Sequence, residues 1–435
     1  MIVENIVDLI GDTPMLKISK DVHGLPNVNL YAKLEMMNPF GSVKDRIAWE
    51  MLKDDLDDII KNEQTIIENS SGNTSKALQG IAGIYNIPFK MMASFAKIPE
   101  PLEVLQVQGS EIKEIALAGT DCFDPNDPND PQYVIEGLVK QSNGKIFFPS
   151  QFTNEKAVTV HKRETGPEIM ADLDRVDYLF GGLGTTGSTR GIIEAIRERD
   201  AHAQCIAVCG GDNDMLPGVR TVSQLWEVGI YRPELYNKTM GISPTDSVTA
   251  MLELNRKCGL LCGPSAGGQY AAIKQHFTEN PAVDETNVVF IACDRMEWYL
   301  SYIKKYRPDV FDLDADKVGA FARFYPEAQD TETCTIAPEN LDAWRNKNTP
   351  LIIDMRTPTS LKVLRFDGSM NIPETTLEDM LEKNQPFAPN QTVLFICAVG
   401  MKSLKVAAYL RTKGIHAFSL SGGITAYQAH KRHTA

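Results

Sequence analysis

The sequence predicts an α/β protein in two units of unequal size, and three observations carry this. Short apolar runs, mostly β-branched or aromatic, alternate with amphipathic stretches of helical period, as in a fold with a buried sheet. These runs are followed by Gly, Ser or Asp, so turns follow strands directly. The charge balance changes near residue 330: the first 330 residues hold 32 basic and 48 acidic side chains, the remainder 12 and 9.

In chain order, strands are expected at Leu30–Leu34, Thr65–Glu68, Phe89–Ala93, Tyr178–Gly181, Gln204–Cys209 and Val288–Ala292. Helices are expected between them, for example over Lys44–Leu56 and Ser188–Arg199. Around Lys304–Asp330 the pattern turns charged and irregular. A shorter α/β unit follows, with strands at Leu351–Asp354, Val393–Cys397 and His416–Leu420 and a helix over Lys402–Lys413. Ligands of such folds bind beyond the carboxyl ends of the strands, so the strand-to-helix turns are where chemistry is expected.

Composition narrows the function. A chain of 435 residues with 43% hydrophobic and 23% charged residues can bury a core and is not a disordered polymer. A net charge of −13 argues against binding nucleic acid by phosphate neutralisation. Uncharged apolar runs such as Val288–Cys293 and Val393–Met401 fall far short of the roughly 20 residues of a membrane span. The opening MIVENIVDLIGDTP has acids where a signal peptide has bases, so a cytoplasmic location with eight reduced cysteines is expected. Asp121–Pro131, DCFDPNDPNDP, reads as a solvated acidic loop in preference to a calcium loop, since the glycine and terminal Glu of the known calcium loop are absent.

Four turns make one chemical proposal. In Asn38–Arg46, NPFGSVKDR, Ser42 can cap a helix opening with Val43 and Lys44. A lysine at the positive end of a helix is either a surface residue or an amine suited to losing its proton. Glu68–Ser75, ENSSGNTS, offers backbone N–H groups and small donors to an anion, beyond what a plain helix cap requires. Gly181–Ser188, GGLGTTGS, is a candidate phosphate cradle and lacks the lysine of a P-loop. Leu260–Gly268, LLCGPSAGG, is a further apolar-to-small turn ahead of a helix.

Together these turns resemble the fold-type II pyridoxal-phosphate enzymes of the cysteine synthase and cystathionine β-synthase group, over residues 1 to about 305. Gly11-Asp12-Thr13-Pro14 is similar to the family's G-x-T-P, NPFGSVKDR to N-P-x-x-S-x-K-D-R, SSGNT to the substrate loop, and Gln151-Phe152 to its Q-F pair. GTTGS resembles the phosphate loop in its cysteine synthase B variant, and CGPSAG the segment facing the pyridine nitrogen. The resemblance implies that Lys44 holds the cofactor covalently and moves protons at Cα. It implies that Asn73 bonds the ring hydroxyl, that Gly184, Thr185, Thr186, Gly187 and Ser188 hold the phosphate, and that Ser265 faces the pyridine nitrogen. Ser70, Ser71, Gly72, Thr74 and Gln151 would hold the substrate. A neutral hydroxyl at the pyridine nitrogen leaves the ring a weaker electron sink, which suits β-elimination to an aminoacrylate followed by nucleophile addition. The chain departs from the family where Gly usually follows SGNT and here Ser75 and Lys76 stand. Arg220 is read either as a surface or ion-paired residue or as a receiver of a substrate phosphate.

The second unit carries Cys397–Ser403, CAVGMKS, between a strand and a helix, where N–H donors and the helix end favour a thiolate. This resembles the rhodanese signature C-x-x-G-x-R-[ST], with Lys402 for Arg. LIIDMR at Leu351–Arg356, SMNIP at Ser369–Pro373 and Ser421-Gly422-Gly423 add to the likeness. It implies a persulfide on Cys397 in a loop of Cys397, Ala398, Val399, Gly400, Met401 and Lys402, or else a rhodanese fold kept as a regulatory module. The pairs Cys205/Cys209 and Cys258/Cys262 are read as packing, not a metal site.

The expected organisation is a fold-type II domain of two α/β subdomains over 1–305, a linker over 306–333 and a small α/β rhodanese domain over 334–435. The expected function is β-replacement on O-acetylserine or O-phosphoserine to make cysteine, with sulfur delivered through Cys397. The alternatives are a cysteine or thiol β-lyase whose released sulfur the rhodanese unit captures, and another β-replacement, to cystathionine or 2,3-diaminopropionate. Expected partners are a small amino-acid substrate and a sulfur donor, with no nucleic acid, no membrane and, by family analogy, a homodimer.

Overall fold

The computed structural model describes all residues except 1, 71, 94–97, 115–130, 212–214, 223–224, 226–227, 312–323, 325, 327, 384–385, 389 and 435. The acidic run at 121–130 and the candidate Ser71 thus lie outside the described residues. The chain divides into two compact units, one of residues 1–113 and 132–303, the other of residues 114–131 and 304–435.

The first unit holds two sheets. The larger has six strands: β1 (Met15–Ile18), β2 (Val28–Lys33), β7 (Tyr178–Gly182), β8 (Gln204–Gly210), β9 (Lys238–Ile242) and β10 (Thr286–Ile291), in the order β1-β2-β10-β7-β8-β9. Only β1 is antiparallel to its neighbour; the other pairings are parallel, so each strand leads into a crossover. The smaller sheet orders β5 (Glu111–Glu114), β4 (Phe89–Ala93), β3 (Thr65–Asn69) and β6 (Ile146–Phe147), with β3 parallel to both neighbours. Each sheet has its own core. Ile66, Phe89 and Met91 pack with Leu78, Ile81 and Leu105 on the small sheet, and Leu179, Val289 and Ile291 with Ile192, Ile193 and Ile196 on the large one. Cys205 and Cys209 are buried in this packing.

Helices relevant to the site are α1 (Lys44–Leu52), α2 (Asn73–Ile84), α3 (Pro99–Val107), α4 (Gly187–Arg199) and α5 (Pro264–Glu279). The helix expected over Lys44–Leu56 ends earlier, at Leu52, and a second begins at Leu56 after a three-residue turn. Asp54 and Asp55 would place two carboxylates at the negative end of a longer helix; here they bond Lys156 instead. The other expected strands and the expected helix Ser188–Arg199 agree with the structure to within two residues at each end.

The base of α1 is held by buried charge. Arg46 bonds Glu35 through Nε and Nη2, each at 2.8 Å, and Glu168 through both terminal nitrogens at 2.7 Å. Thr13 Oγ1 donates to Glu35 at 2.6 Å, so the Gly11–Pro14 turn is fastened to the same carboxylate. Breaking one partner of such a buried network strands a charge and costs about 3–5 kcal/mol.

The second unit is a five-stranded parallel sheet of β11 (Thr335–Ile336), β12 (Leu351–Asp354), β13 (Met370–Asn371), β14 (Thr392–Ile396) and β15 (His416–Leu420), ordered β11-β15-β14-β12-β13. Its central strand is apolar without a break from Val393 to Ile396, as burial on both faces requires. Val393 and Phe395 pack with Val406 and Leu410 of α6 (Met401–Thr412), while Leu394 and Ile396 pack with Leu341, Phe366 and Ile424.

Candidate active site

Lys44 is set by the turn before it. Val43 N–H donates to the Cys293 carbonyl at 2.8 Å, and Ser42 bridges Asp294, so this turn is clipped to the end of β10. Ser42 Oγ accepts from Lys44 N–H at 3.2 Å and donates to Asp45, whose other oxygen accepts from Phe40 N–H at 2.6 Å. The Asp and Arg of the NPFGSVKDR motif are thus scaffold, and the lysine is left to project. Its Nζ donates to Thr185 Oγ1 at 3.0 Å. Burial lowers the Lys44 pKa, against the opposing pull of Cys293 and Asp294.

Thr185 belongs to the glycine turn between β7 and α4. A Cβ on Gly184 would stand 2.4 Å from the Gly218 carbonyl oxygen, and one on Gly187 2.7 Å from that of Ala157. Only glycine lets these backbones close around the turn. Thr186 sits at φ +66° and is followed directly by the first turn of α4, with Ser188 in that turn. Backbone N–H groups at such a helix start can receive an anion.

The SSGNT turn leads from β3 into α2. Asn73 Nδ2 donates to Asp294 Oδ2 at 2.6 Å, and the Tyr299 hydroxyl donates to the same oxygen. Thr74 Oγ1 donates to Gln151 Oε1 at 2.6 Å, and Gln151 Nε2 to the Asn69 carbonyl at 2.9 Å. Ser75 Oγ closes the turn on the Ser70 carbonyl at 2.7 Å, so the departure from the family's glycine adds a clasp; Gly72 N–H lies 3.4 Å from Ser70 Oγ. Behind this turn Glu68 is fully buried, and burial pushes its pKa up to about 8 against N–H donors from Asn69, Gln151 and Ser150. The structure therefore brings Thr74 and Gln151 together, and Lys44 and Thr185 together.

Ser265 opens α5. Its Oγ is buried with no nitrogen or oxygen partner, and the Cys293 thiol lies beside it. Burial pushes that thiol up to about 12. Asp294, Tyr299 and Cys293 escaped the sequence reading. Their signal was available, since they follow the strand expected at Val288–Ala292, but no glycine motif marks that turn. Arg220 is half-buried; its guanidinium lies 4.6 Å from the centre of the Phe152 ring, next to Gln151.

In the second unit Cys397 directly follows β14 and is 2% exposed. Three donors converge on its sulfur: Gly400 N–H at 3.2 Å, Ser403 N–H at 3.4 Å and Ser403 Oγ at 3.2 Å. The Ser421-Gly422-Gly423 turn lies against this loop. Ile424 N–H donates to the Cys397 carbonyl at 3.0 Å, and a Cβ on Gly423 would fall 2.3 Å from the Ala398 oxygen. Lys402, expected to lend a cation to the loop, forms an ion pair with Glu374 at 2.7 Å, so its charge is shared with a carboxylate.

A lysine of lowered basicity at a helix start, its amine on a hydroxyl of a glycine turn, is compatible with the class of fold-type II enzymes that hold pyridoxal phosphate on a lysine. The chain belongs to the pyridoxal-phosphate dependent enzyme family, whose model matches residues 6–294, and a rhodanese-like domain is matched over residues 337–430. It is similar to cysteine synthase B of Pseudomonas aeruginosa (28% identical over 302 residues, covering 68% of this chain and 95% of the relative). It is also similar to that of Escherichia coli (29% over 299 residues, 67% and 93%). Among solved structures it resembles a hydrogen sulfide-producing enzyme from Fusobacterium nucleatum, at TM-score 0.60 and 27% identity, over 69% of this chain and 99% of the other. The cofactor is pyridoxal phosphate, and the residues present fit it, since the buried Ser265 hydroxyl has no nitrogen or oxygen partner and a ring nitrogen would be one.

Proposed function

We propose that the enzyme makes cysteine by β-replacement on an activated serine, O-acetylserine or O-phosphoserine, with sulfur delivered through a persulfide on Cys397. The observation that supports the first half is the Lys44–Thr185 contact, between the amine and the turn that would take the phosphate. Lys44 holds the cofactor and moves the proton at the substrate Cα. The Gly184–Ser188 turn takes the phosphate, Asn73 the ring hydroxyl and Ser265 the ring nitrogen. When bound, the cofactor supplies an electron sink for the Cα carbanion. A neutral Ser265 partner keeps that sink weak, which favours prompt loss of the β-substituent over transamination. Ser70, Ser71, Thr74 and Gln151 would hold the substrate carboxylate, with Gly72 in the same loop, and Arg220, over the Phe152 ring, would receive a phosphate leaving group.

For sulfur delivery, the Cys397 thiolate attacks the outer sulfur of a donor such as thiosulfate. An S–S bond forms, and sulfite leaves with the electron pair of the broken bond. One thiol then attacks the Cys397 sulfur of the persulfide, releasing sulfide and forming a mixed disulfide, and a second thiol frees Cys397 as the donor disulfide leaves. The three donors on Cys397 Sγ support anion stabilisation there. Joining the two units in one chain raises the effective concentration of one at the other. We assign residues 1–305 to the first activity and 334–435 to the second, with 306–333 between them.

The test is product mass with each activated serine. Wild type should use thiosulfate plus a thiol, Cys397→Ser only free sulfide, and Lys44→Ala neither. An unchanged rate in Cys397→Ser with every sulfane donor overturns the delivery role. The likeness to a hydrogen sulfide-producing enzyme favours a second reading, cysteine β-lysis with sulfur captured at Cys397. Sulfide release from cysteine alone, exceeding synthesis, selects it.

A further inference from the structure

A second cleft of about 490 Å³ lies one helical turn from Asn73 on α2. Its walls are apolar, chiefly Met36, Met37, Phe40 and Trp298. Two buried donors line it. Lys76 is 4% exposed and its Nζ makes no hydrogen bond; Trp298 Nε1 is buried and equally unpartnered. The ammonium sits 3.8 Å from the centre of the Trp298 ring, so the indole face offsets part of its desolvation. The N–H groups themselves stay unanswered, which is costly for a buried cation. Arg295, on the same wall, is already paired with Glu297.

Two buried donors without hydrogen-bond partners select a group that accepts. Water accepts a bond but brings no charge to the ammonium. We propose that this cleft binds a small carboxylate with an apolar body, the head on Lys76 Nζ and Trp298 Nε1 and the body against Met36, Met37 and Phe40. The position lets occupancy reach the catalytic residues. Lys76 shares α2 with Asn73 and Thr74, Gly41 of the cleft leads into Ser42 and Lys44, and Trp298 lies four residues beyond Asp294, which holds Asn73. The charges facing Lys76 are Asp294, Asp45, Arg295 and Glu297, and burial brings its pKa down to about 8. Affinity for the carboxylate therefore falls as pH rises through 8, where the ammonium is lost.

The test is calorimetric titration of the holoenzyme at pH 7 with acetate, 4-methylpentanoate and 3-phenylpropanoate, and with 4-methylpentanamide as the neutral control. Saturable binding of a longer carboxylate is expected, absent for the amide. Gln151→Ala, which weakens the substrate carboxylate pocket, should retain it. Lys76→Met should weaken it at least about tenfold and Trp298→Phe less, as loss of a charged and of a neutral donor implies. The visible absorption of bound cofactor reports that each variant is folded; should Lys76→Met fail there, Trp298→Phe decides. No saturable binding by any of the three acids overturns the proposal. So does equal binding of the amide, or binding lost in Gln151→Ala and kept in Lys76→Met.

Discussion

Lys44 Nζ and Thr185 Oγ1 meet at 3.0 Å across 141 residues of sequence. One belongs to a turn clipped to the end of β10, the other to the glycine turn that follows β7, and these strands are neighbours in the large sheet. The contact joins the amine to the glycine turn, so changes on either side should be felt at both.

Lys44→Ala should abolish the visible band of lysine-bound cofactor and lower turnover by at least about 10²–10⁴, the range of a lost proton-transfer group. Thr185→Val removes only the hydroxyl. It should weaken cofactor affinity by about tenfold, with the band retained at saturating cofactor. Spectral titration with added cofactor checks both.

Gly184→Ala tests the cradle by shape alone. The new methyl would lie 2.4 Å from the Gly218 carbonyl oxygen, so one backbone must move. A cost of about 1–3 kcal/mol is expected, read as a lower thermal midpoint and weaker cofactor binding. An alanine variant with wild-type affinity contradicts the cradle.

Glu68 makes stability depend on pH. Its folded pKa of about 8 stands above the usual 4.5. Between these values the fold keeps a proton that the unfolded chain has released. Stability therefore falls as pH rises from about 4.5 to about 8, and this contribution is level beyond. Glu68→Gln should remove that fall. Urea midpoints at pH 5.5 and 8.5 should differ less in the variant than in wild type.

Gly423→Ala probes the sulfur loop from outside it. At φ +62°, with the Ala398 oxygen 2.3 Å from the new Cβ, the turn must pull away from Cys397. Ser403→Ala removes one donor to Sγ without that displacement. Intact-mass measurement after thiosulfate treatment should show persulfide on wild type, less on Ser403→Ala and least on Gly423→Ala. The first unit's rate with free sulfide should be unaffected.

Much of this was legible in the chain. The strand-turn-helix rhythm is written in periodicity, and turns that must approach a ligand need glycine and hydroxyls, so GGLGTTGS and CGPSAG stood out. Lys44 stood out through the likeness of NPFGSVKDR to the family motif, since its helix start alone also suits a surface lysine. Asp294 and Tyr299 were not, because their role is to hold Asn73, and a carboxylate after a strand carries no local mark of its distant partner. The helix expected over 44–56 failed at Lys53 because apolar period alone does not register two adjacent carboxylates at a helix end. Lys402 illustrates the same limit, since its pairing with Glu374 depends on how separate segments meet.

The sequence by itself determined the two-unit α/β plan and its glycine-rich strand-to-helix turns, within which the family resemblances single out Lys44 and Cys397. These follow from local physics: side-chain period, backbone freedom at glycine and the polarity of helix ends. Only the tertiary structure decided which groups face one another. It set Lys44 against Thr185, Thr74 against Gln151 and Gly423 against Ala398, and it left Lys76 and Trp298 as donors without acceptors in an apolar cleft. The reason is that burial and pairing belong to parallel strand order, which links segments far apart in the chain and which local composition does not encode.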